Sequence, residues 1–508
     1  MSHLAILPVL IPLVAGALTL LLSWAGGARR LVSVTATVAL IPISVMLLAR
    51  AADSEIDVYY LGNWAAPYGI VLVVDRLSAL MLTLTAVLGL GSLLYALAGD
   101  DRIGRRFHVL FQMQLLGING AFLTGDLFNL FVFFEILLIA SYALQLHGGG
   151  RARVRAALHV VVLNLAGSSV FLIGIGAIYA ATGTLNMADL AVKVAAAGPE
   201  QAGLLRAGGL LLLVVFALKA ALVPLGFWLP PAYSSASAPA AALFAIMTKV
   251  GVYAILRVHG LVFGPEAGPA ASLVTPWLLP VGLATVTFAT IGMLASRDLR
   301  RLLAHLVVLS AGTLIIALGI DSPDATSAAL YYALNSTLVG GGLFLLADLI
   351  GHERGGASFD TQGALYRPAL LGGLFFLGAI GVAGLPPLAG FAAKVAILQS
   401  ALVQPGAAWV FAVILISGVL VVVALSRAGS AIFWRTGDHS AAGNRMGTLP
   451  TIATGLLLLG TIVLMAGAGP ITAYTRATAA QLADRAAYVN AVMANQGVRP
   501  STRTAEVH

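Results

Sequence analysis

Long apolar runs recur along the whole chain and restrict it to one kind of fold. Each run holds about 20 residues, the length that a helix needs to cross a bilayer. The chain is 60% hydrophobic and only 9% charged, whereas about a quarter of the residues in a soluble domain are charged. We therefore predict an all-α polytopic membrane protein with about 14 transmembrane helices. The predicted spans are 4–24, 31–49, 75–98, 108–124, 127–146, 155–181, 207–228, 238–260, 273–295, 301–319, 325–350, 368–402, 407–426 and 449–468.

Composition excludes several classes of function. The chain has no cysteine, which rules out disulfides, cysteine-ligated iron–sulfur clusters and thiolate catalysis. Its formal net charge of +8 lies in short loops between apolar runs, a pattern typical of membrane topology rather than of nucleic-acid binding. No Walker sequence occurs, so we expect no ATP-driven reaction. The histidines lack metal-ligand spacing, and we predict neither a metal site nor a cofactor.

The two ends of the chain are expected to differ. The first apolar run has no basic region before it and no convincing cleavage site, so we expect it to be retained rather than removed as a signal peptide. Residues 469–508 are more polar than the spans. We predict that they form a surface helix followed by a loose tail.

Loop charges predict the orientation of the chain. Alternate loops are rich in arginine, and the loops between them are poor in basic residues. The arginines concerned are Arg29, Arg30, Arg102, Arg105, Arg106, Arg151, Arg153, Arg155, Arg297, Arg300, Arg301, Arg354, Arg367, Arg427, Arg435 and Arg445. The opposite loops hold the acidic residues Asp53, Glu55, Asp57, Asp126, Glu200, Glu266, Asp321 and Asp324. By the positive-inside rule the arginine-rich loops are cytoplasmic, which places both termini outside a bacterial cytoplasmic membrane.

Two of the predicted spans contain prolines that should break them. Pro224 and the sequence Leu-Pro-Pro at 229–231 follow Lys219, and a second Leu-Pro-Pro at 385–387 precedes Lys394. Proline removes a backbone donor and clashes with the preceding helical turn. The two breaks lie in spans seven and twelve, so equivalent helices would run in opposite directions. This pattern predicts an inverted repeat with binding sites near the bilayer midplane.

Four charged residues lie deep inside apolar runs and are the main candidates for function. They are Glu135, Lys219, Lys249 and Lys394. A charge near the bilayer centre costs about 2.5–3.5 kcal/mol or more. One glutamate and three lysines on separate helices therefore predict a path for protons or ions.

Each of these residues also has a structural interpretation. Glu135 is either a neutral carboxyl in a helix interface or a carboxylate paired with Lys219. Lys219 lies about one turn before the break, too deep to reach an interface easily by snorkelling. Lys249 shares one helical face with Tyr253 and Arg257; we interpret Arg257 as an interface anchor. Lys394 is the expected counterpart of Lys219.

Other polar residues receive weaker assignments. His305 can relay protons near neutral pH, but it can equally be a histidine satisfied within a helix interface. Asn335 can hold water without titrating. Asp75 and Arg76 are expected to stabilise contacts between helices, while Asp126 and Asp348 are expected to be interfacial or to cap helices.

Several long segments resemble a known family of proton-translocating membrane proteins. The matching segments are GINGAFLTGDLFNLFVFFEILLIASYAL, ALKAALVPLGFWLPPAYSSASAPAAALFAIMTKVGVYAI, RDLRRLLAHLVVLSAGTLII and GLPPLAGFAAKVAIL. This family includes the antiporter-like subunits of respiratory complex I and the A and D subunits of Mrp-type cation/proton antiporters. The likeness extends over essentially the whole chain and is greatest to the D-type branch of the Mrp (Mnh, Pha, Sha) antiporters.

The resemblance implies a fold and roles for particular residues. It implies two inverted five-helix repeats, with domains at 1–107, 108–260, 261–434 and 435–508. It assigns the acidic residue of the fifth helix to Glu135, its lysine partner in broken helix seven to Lys219, the connecting lysine to Lys249 and the terminal lysine to Lys394. Many relatives have histidine where this chain has Asn335, which puts a titrating relay at that step in doubt.

The expected function is that of a secondary transporter subunit and not of an enzyme. We expect a proton-translocating subunit of a multisubunit Na⁺/H⁺ antiporter, embedded in lipid beside other subunits and driven by the proton-motive force. The alternative is a proton-pumping subunit of a quinone-linked dehydrogenase or membrane hydrogenase. A third possibility is an assembly scaffold in which the buried charges only pair helices.

Overall fold

The structure is a computed structural model that describes residues 3–22, 24–53, 56–104, 106–360, 363–434 and 443–494. The predicted loop charges Glu55, Arg105 and Arg435 lie outside these residues, as does the predicted tail at 495–508. The prediction of domain boundaries stays a prediction.

The described chain is built almost entirely from helices. In the first half they are α1 Leu7–Leu21, α2 Gly26–Ala52, α3 Arg76–Ala96, α4 Phe107–Leu123, α5 Leu127–Leu146, α6 Arg151–Thr182, α7a Pro199–Lys219, α7b Leu229–Ser235 and α8 Ala238–Val262. In the second half they are α9 Thr275–Leu294, α10 Leu299–Gly319, α11 Pro323–Arg354, α12a Pro368–Ala383, α12b Ala389–Ala401, α13 Ala407–Phe433, α14 Thr448–Ala466, α15 Ala468–Ala483 and α16 Arg485–Met493. Short helical segments lie at His3–Ile6, Leu61–Asn63, Asp100–Ile103, Met187–Ala195, Gly226–Trp228 and Gly268–Ala270.

The helices confirm the predicted all-α membrane fold. Among the described residues, 12 helices are long and apolar enough to cross a membrane. The 17-residue α4 and the two halves of α12 occupy the remaining predicted spans. The exact inverted-repeat relationship stays a prediction, but interrupted helices occur in spans seven and twelve as expected.

The first break begins earlier than the sequence suggested. α7a ends at Lys219 itself rather than one turn beyond it. Ala221 then adopts a positive φ of 57°, so the chain leaves the helix before it reaches Pro224. The sequence Leu-Pro-Pro at 229–231 starts α7b, with proline in the first turn, where it costs no helical hydrogen bond.

The second break corrects the predicted equivalence of the two Leu-Pro-Pro sequences. The copy at 385–387 lies in the break itself, between α12a and α12b. Lys394 follows its break, whereas Lys219 precedes its own. The two lysines therefore do not occupy equivalent positions along the chain.

The helices differ sharply in burial, and this difference identifies the centre of the protein. The apolar 18-residue stretch of each helix is 94% buried in α8 and 89% buried in both α10 and α11. It is only 33% buried in α1, α2 and α13. α8, which carries Lys249, thus lies with α10 and α11 at the centre, while α1, α2 and α13 lie at the periphery.

A short hairpin is an exception to the all-helical prediction. Strands β1 Asp57–Tyr60 and β2 Val71–Val74 pair antiparallel, with Asp57 opposite Val74. All four residues of β2 are buried, and three of them are β-branched valines that favour strands. The pattern of apolar runs does not reveal this hairpin, because each strand is much shorter than a membrane span.

The C-terminal helices are packed more closely than a surface helix would be. The Thr475 hydroxyl of α15 lies 2.9 Å from that of Ser327 on α11. Tyr60 of β1 donates to the carbonyl of Val492 on α16 at 3.0 Å. α15 and α16 therefore cover the same face of the protein as the hairpin.

Candidate functional site

The three predicted lysines are all buried. Their residues are 5% exposed at Lys219, 2% at Lys249 and 7% at Lys394. Buried charged groups are retained only where polar partners compensate for lost water. The partners of each lysine therefore define the candidate site.

Lys219 forms its hydrogen bond with a neutral residue of α6. Its Nζ donates to Oδ1 of Asn164 at 3.0 Å and lies 6.0 Å from the centroid of the Phe134 ring. As the last residue of α7a, Lys219 is also at the helix end where the dipole favours positive charge.

Glu135 is bound to the same helix but not directly to Lys219. The Ser168 hydroxyl donates to the Glu135 carboxylate. Ser168 and Asn164 lie one turn apart on α6, and Ser168 can also donate to the Asn164 carbonyl at 3.0 Å. Among the described residues, no ion pair within 4.0 Å joins Glu135 to Lys219. Each of the two instead bonds to a side chain of α6, which links them indirectly.

Close packing of α8 holds the end of α7a in place. A Cβ atom on Gly251 would lie 2.5 Å from the backbone N of Ala220 and 2.9 Å from the carbonyl carbon of Lys219. Contacts this short do not occur in real structures, so a side chain at position 251 would force one of the two backbones to move. Gly251 therefore allows α8, which also carries Lys249, to approach the first break directly.

Lys249 contacts α10 at the centre of the protein. Its Nζ donates to the Ser310 hydroxyl at 2.7 Å. Farther along α8, the Tyr253 hydroxyl donates to the Phe122 carbonyl at 2.7 Å and accepts from Nε of Arg257 at 3.2 Å. The predicted face of α8 is therefore a row of polar groups inside the protein.

Arg257 ends this row in a buried ion pair. Its Nη2 lies 2.6 Å from Oδ2 of Asp75, and the two side chains are 4% and 2% exposed. This burial corrects the interpretation of Arg257 as an interface anchor, because its guanidinium lies inside the protein. The contact agrees with the expectation that Asp75 pairs with a neighbouring helix. It joins the start of α3 to α8.

Lys394 reaches across the second break to the end of α12a. Its Nζ donates to the Ala383 carbonyl at 2.7 Å and lies 3.5 Å from the Val382 carbonyl. These carbonyls have no further helical turn to bond to, because α12a ends there. Lys394 thus binds carbonyls at the C-terminal end of a helix. Lys219 is itself the residue at the C-terminal end of α7a.

Asn335 and His305 form their hydrogen bonds with groups other than the lysines. Asn335 donates to the Gly381 carbonyl at 3.1 Å and accepts from the Thr461 hydroxyl at 2.7 Å. Nδ1 of His305 lies 2.9 Å from the carbonyl of Arg301, on its own helix. This geometry fits the alternative of a histidine satisfied within a helix interface, and a relay role for either residue stays a prediction.

Two arginines hold the second half of the first broken helix. Nε of Arg153 donates to the Ser235 carbonyl at 2.8 Å, and Nη2 of Arg300 donates to the Ala236 carbonyl. Positive charge stabilises a helix at its C-terminal end. These arginines of the predicted cytoplasmic loops therefore fix α7b as well as marking orientation.

A small acidic cluster lies beside these arginines. Asp348 accepts from the Tyr95 hydroxyl at 2.8 Å and lies 3.6 Å from Nη1 of Arg300. It bonds between helices rather than capping one. In the adjoining loop, burial and the charge of Asp348 raise the pKa of Asp100 to about 6.

Asp126, by contrast, caps a helix as predicted. Its carboxylate accepts from the backbone N–H of Asn129 at 2.8 Å, in the first turn of α5.

The neutral partners of the charged groups were not predicted from the sequence. These are Asn164 and Ser168 on α6, Ser310 on α10 and Thr461 on α14. The run VVVLNLAGSS on α6 does contain a signal. Asn164 and Ser168 stand four residues apart in it, and this spacing places both on one face of the helix. Together the lysines and these partners place titratable and polar groups side by side inside the protein.

Comparison with known proteins identifies the family of this chain. The family model described as NADH:quinone oxidoreductase/Mrp antiporter, transmembrane, matches residues 124–421. The D subunit of a probable K⁺/H⁺ antiporter of Rhizobium meliloti is 42% identical, with 95% of this chain and 96% of that protein covered. The D subunit of a Na⁺/H⁺ antiporter of Alkalihalophilus pseudofirmus is 38% identical, with 97% and 100% covered.

Solved structures give the same result. A chain of the Mrp complex from a Dietzia species has a TM-score of 0.87 and 27% identity, with 97% of this chain and 100% of that chain covered. A chain of the membrane-bound sulfane sulfur reductase, an archaeal respiratory membrane complex, has a TM-score of 0.89 at the same identity and coverage. The protein therefore belongs to the NADH:quinone oxidoreductase/Mrp antiporter family of membrane proteins.

Proposed function

We propose that this chain is the proton-translocating, D-type subunit of a multisubunit monovalent cation/H⁺ antiporter. The observation that carries the proposal is the set of three buried lysines, each hydrogen-bonded to a polar group of another helix or helix half. A purely structural lysine is seldom placed at membrane depth, because its insertion is costly. Family membership and the names of the D-type relatives support the same function.

In the proposed cycle, protons pass from one end of this set to the other. A proton enters near Lys219 and Glu135, moves to Lys249 and reaches Lys394. Asn164 and Ser168 link the first two groups, so a change at either contact alters both. The proton-motive force supplies about 2.3 kcal/mol per charge for every 100 mV.

The coupling cation and the setting are part of the proposal. The sequence led us to expect Na⁺, and the Alkalihalophilus pseudofirmus relative carries that name. The Rhizobium meliloti relative is named for K⁺, which makes K⁺ the second cation to test. We place the complex in a bacterial cytoplasmic membrane, with both termini of this chain outside.

A vesicle assay tests the proposal. Everted vesicles from antiporter-deficient cells that express the whole operon are given a pH gradient, which a fluorescent dye reports. Adding Na⁺ or K⁺ should collapse the gradient with the native complex. Lys219→Ala should abolish this collapse because the buried ammonium is lost.

A second lysine provides the matched control. Lys193 is 42% exposed at its side chain and pairs with Asp189 on a short surface helix. Lys193→Ala should leave exchange close to the native level. Native exchange in an assembled Lys219→Ala complex would favour the scaffold role instead.

The second candidate function is a proton-pumping subunit of a redox complex. The TM-score of 0.89 to a chain of the archaeal sulfane sulfur reductase favours it. The two functions differ in what starts proton movement. Cation-induced collapse without an electron donor supports the antiporter, whereas strict dependence on a reductant and a quinone or similar acceptor supports the redox complex.

A further inference from the structure

A cavity opens on the predicted outer face of the protein. Its volume is about 260 Å³, and it lies among the ends of α8, α11, α15 and α16. Its walls are partly apolar, and its charged and polar residues include Asp75, Arg257, Asp321, Gln481 and Arg485. A space of this size, bordered by charged groups, can hold several water molecules.

The inner wall of this cavity is the ion pair of Asp75 with Arg257. The Tyr253 and Tyr488 rings each lie 5.4 Å from the Arg257 guanidinium carbon. The pair is thus enclosed by aromatic rings and yet lines the large cavity. A buried ion pair seldom adds net stability over apolar packing, so stability alone is a weak reason for its presence here.

A second, much smaller cavity lies on the inner side of the same wall. Its volume is about 30 Å³, and Lys249, Tyr253 and Leu256 line it together with apolar residues of α3, α10 and α11. Leu256 also lines the large cavity. One leucine side chain therefore borders both the space beside the central lysine and the space open to one face.

The helix that carries this leucine is irregular at the same place. α8 contains a π-helical turn at Ile255–His259, and turns of this kind occur frequently at functional sites. Lys249, Tyr253, Leu256 and Gly260 follow one face of α8 at spacings of three to four residues. The two cavities, the leucine and the irregular turn thus lie in sequence along one helix face.

We propose that these cavities form a second ion passage, which connects Lys249 to the predicted outer face and is closed by Leu256. It rests on the proposed antiporter function and gives Lys249 an opening that cation-dependent exchange requires. Protons, as hydrated ions, are the class of ligand that the passage admits. The Asp75–Arg257 ion pair lies along its wall.

The absence of cysteine from this chain allows the passage to be tested by thiol labelling. Gly260 is exposed in the large cavity, and a Cβ atom there meets nothing within 4 Å. The Gly260→Cys protein, assembled in the whole complex, is treated with a membrane-impermeant sulfonated methanethiosulfonate. The reagent is applied to the predicted outer face, and labelling of the chain is measured by its mass. Labelling should occur and reduce cation-dependent exchange to the level of Lys219→Ala.

Two matched glycines serve as controls because a Cβ atom at either also meets nothing within 4 Å. Gly203 is exposed near the start of α7a on the same face, so Gly203→Cys should be labelled without loss of exchange. Gly176 is exposed in the last third of α6, within the predicted span 155–181, so Gly176→Cys should remain unlabelled by a charged reagent. A Gly260→Cys complex that is not labelled, or is labelled and still exchanges ions normally, would overturn the proposal.

A second variant tests the closure itself. Leu256→Ala should raise the passive proton leak of proteoliposomes containing the complex, measured without an exchangeable cation. Val252→Ala is the control, since Val252 lines only the small cavity. An unchanged leak in Leu256→Ala would show that Leu256 does not close the passage. If the unmodified native complex showed no cation-dependent exchange, the proposed function would fail, whereas labelling and leak would still report on the passage.

Discussion

At the scale of single residues, the two charged groups nearest the first break are both held by polar side chains of α6. A lysine or glutamate inside an apolar run stands out because its insertion is costly. Its partner depends on how neighbouring helices are rotated about their axes, which one sequence does not reveal. Glu135 and Lys219 were therefore predicted to meet directly, whereas each bonds to a different residue of α6.

The bridging role of α6 leads to a prediction for its two polar residues. Asn164→Ala and Ser168→Ala each remove a hydrogen bond to a charged group, worth about 1.5–3 kcal/mol. We expect each change to lower the exchange rate about tenfold or more, as measured by the dye assay in vesicles.

A neighbouring serine separates this effect from general damage to the helix. Ser169 is exposed and donates only to the Leu165 carbonyl of its own helix, at 3.2 Å. Ser169→Ala should exchange ions at the native rate. Equal losses in Ser168→Ala and Ser169→Ala would refute a specific bridge.

At the scale of elements, the sequence predicted that two helices break but not where they break. A proline indicates that a regular helix does not continue through its position. A helix ends sooner when tertiary packing favours this, and α7a ends at Lys219, five residues before Pro224. For the same reason, the two Leu-Pro-Pro sequences look alike but lie in different places relative to their breaks.

The close approach of α8 to the first break predicts a strong effect of a single methyl group. In Gly251→Ala, the added Cβ would overlap backbone atoms of Lys219 and Ala220, which cannot rotate away. Overpacking of this kind costs about 1–3 kcal/mol. We expect a lower melting temperature of the purified complex, together with a loss of exchange as Lys219 moves from Asn164.

The control for this change is Gly176→Ala on α6. Its Cβ enters open space, and alanine favours helix over glycine by about 0.5–1 kcal/mol. The melting temperature should therefore stay the same or rise. A Gly251→Ala complex as stable and active as the native one would contradict the packing argument.

At the scale of the whole molecule, the long apolar runs predicted the fold class and the number of crossings. The features that they missed are built from short or polar segments, namely the β1–β2 hairpin and the packed helices α15 and α16. These elements are stabilised by contacts between distant parts of the chain, such as Tyr60 with Val492. A pattern confined to a local window does not reveal such contacts.

The alternation of loop charge predicts the side of the membrane on which the chain ends. Alkaline phosphatase fused after the last residue should be active, because this enzyme requires the outer compartment, and fluorescent protein fused there should remain dark. The same reporters inserted in the arginine-rich loop that contains Arg151 should give the opposite pattern. Fluorescence from the C-terminal fusion would show that the orientation is reversed.

The geometry of α6 has a mechanical consequence. This helix extends over 32 residues and contacts the glutamate, the first lysine and, through Arg153, the far end of α7b. Only 39% of its apolar 18-residue stretch is buried. Much of its outer surface is therefore open to a neighbouring protein or to lipid. A rigid rod held in this way cannot turn about its axis without shifting all three contacts at once. A force that a neighbouring protein applies to α6 would therefore move the contacts of Glu135 and Lys219 together.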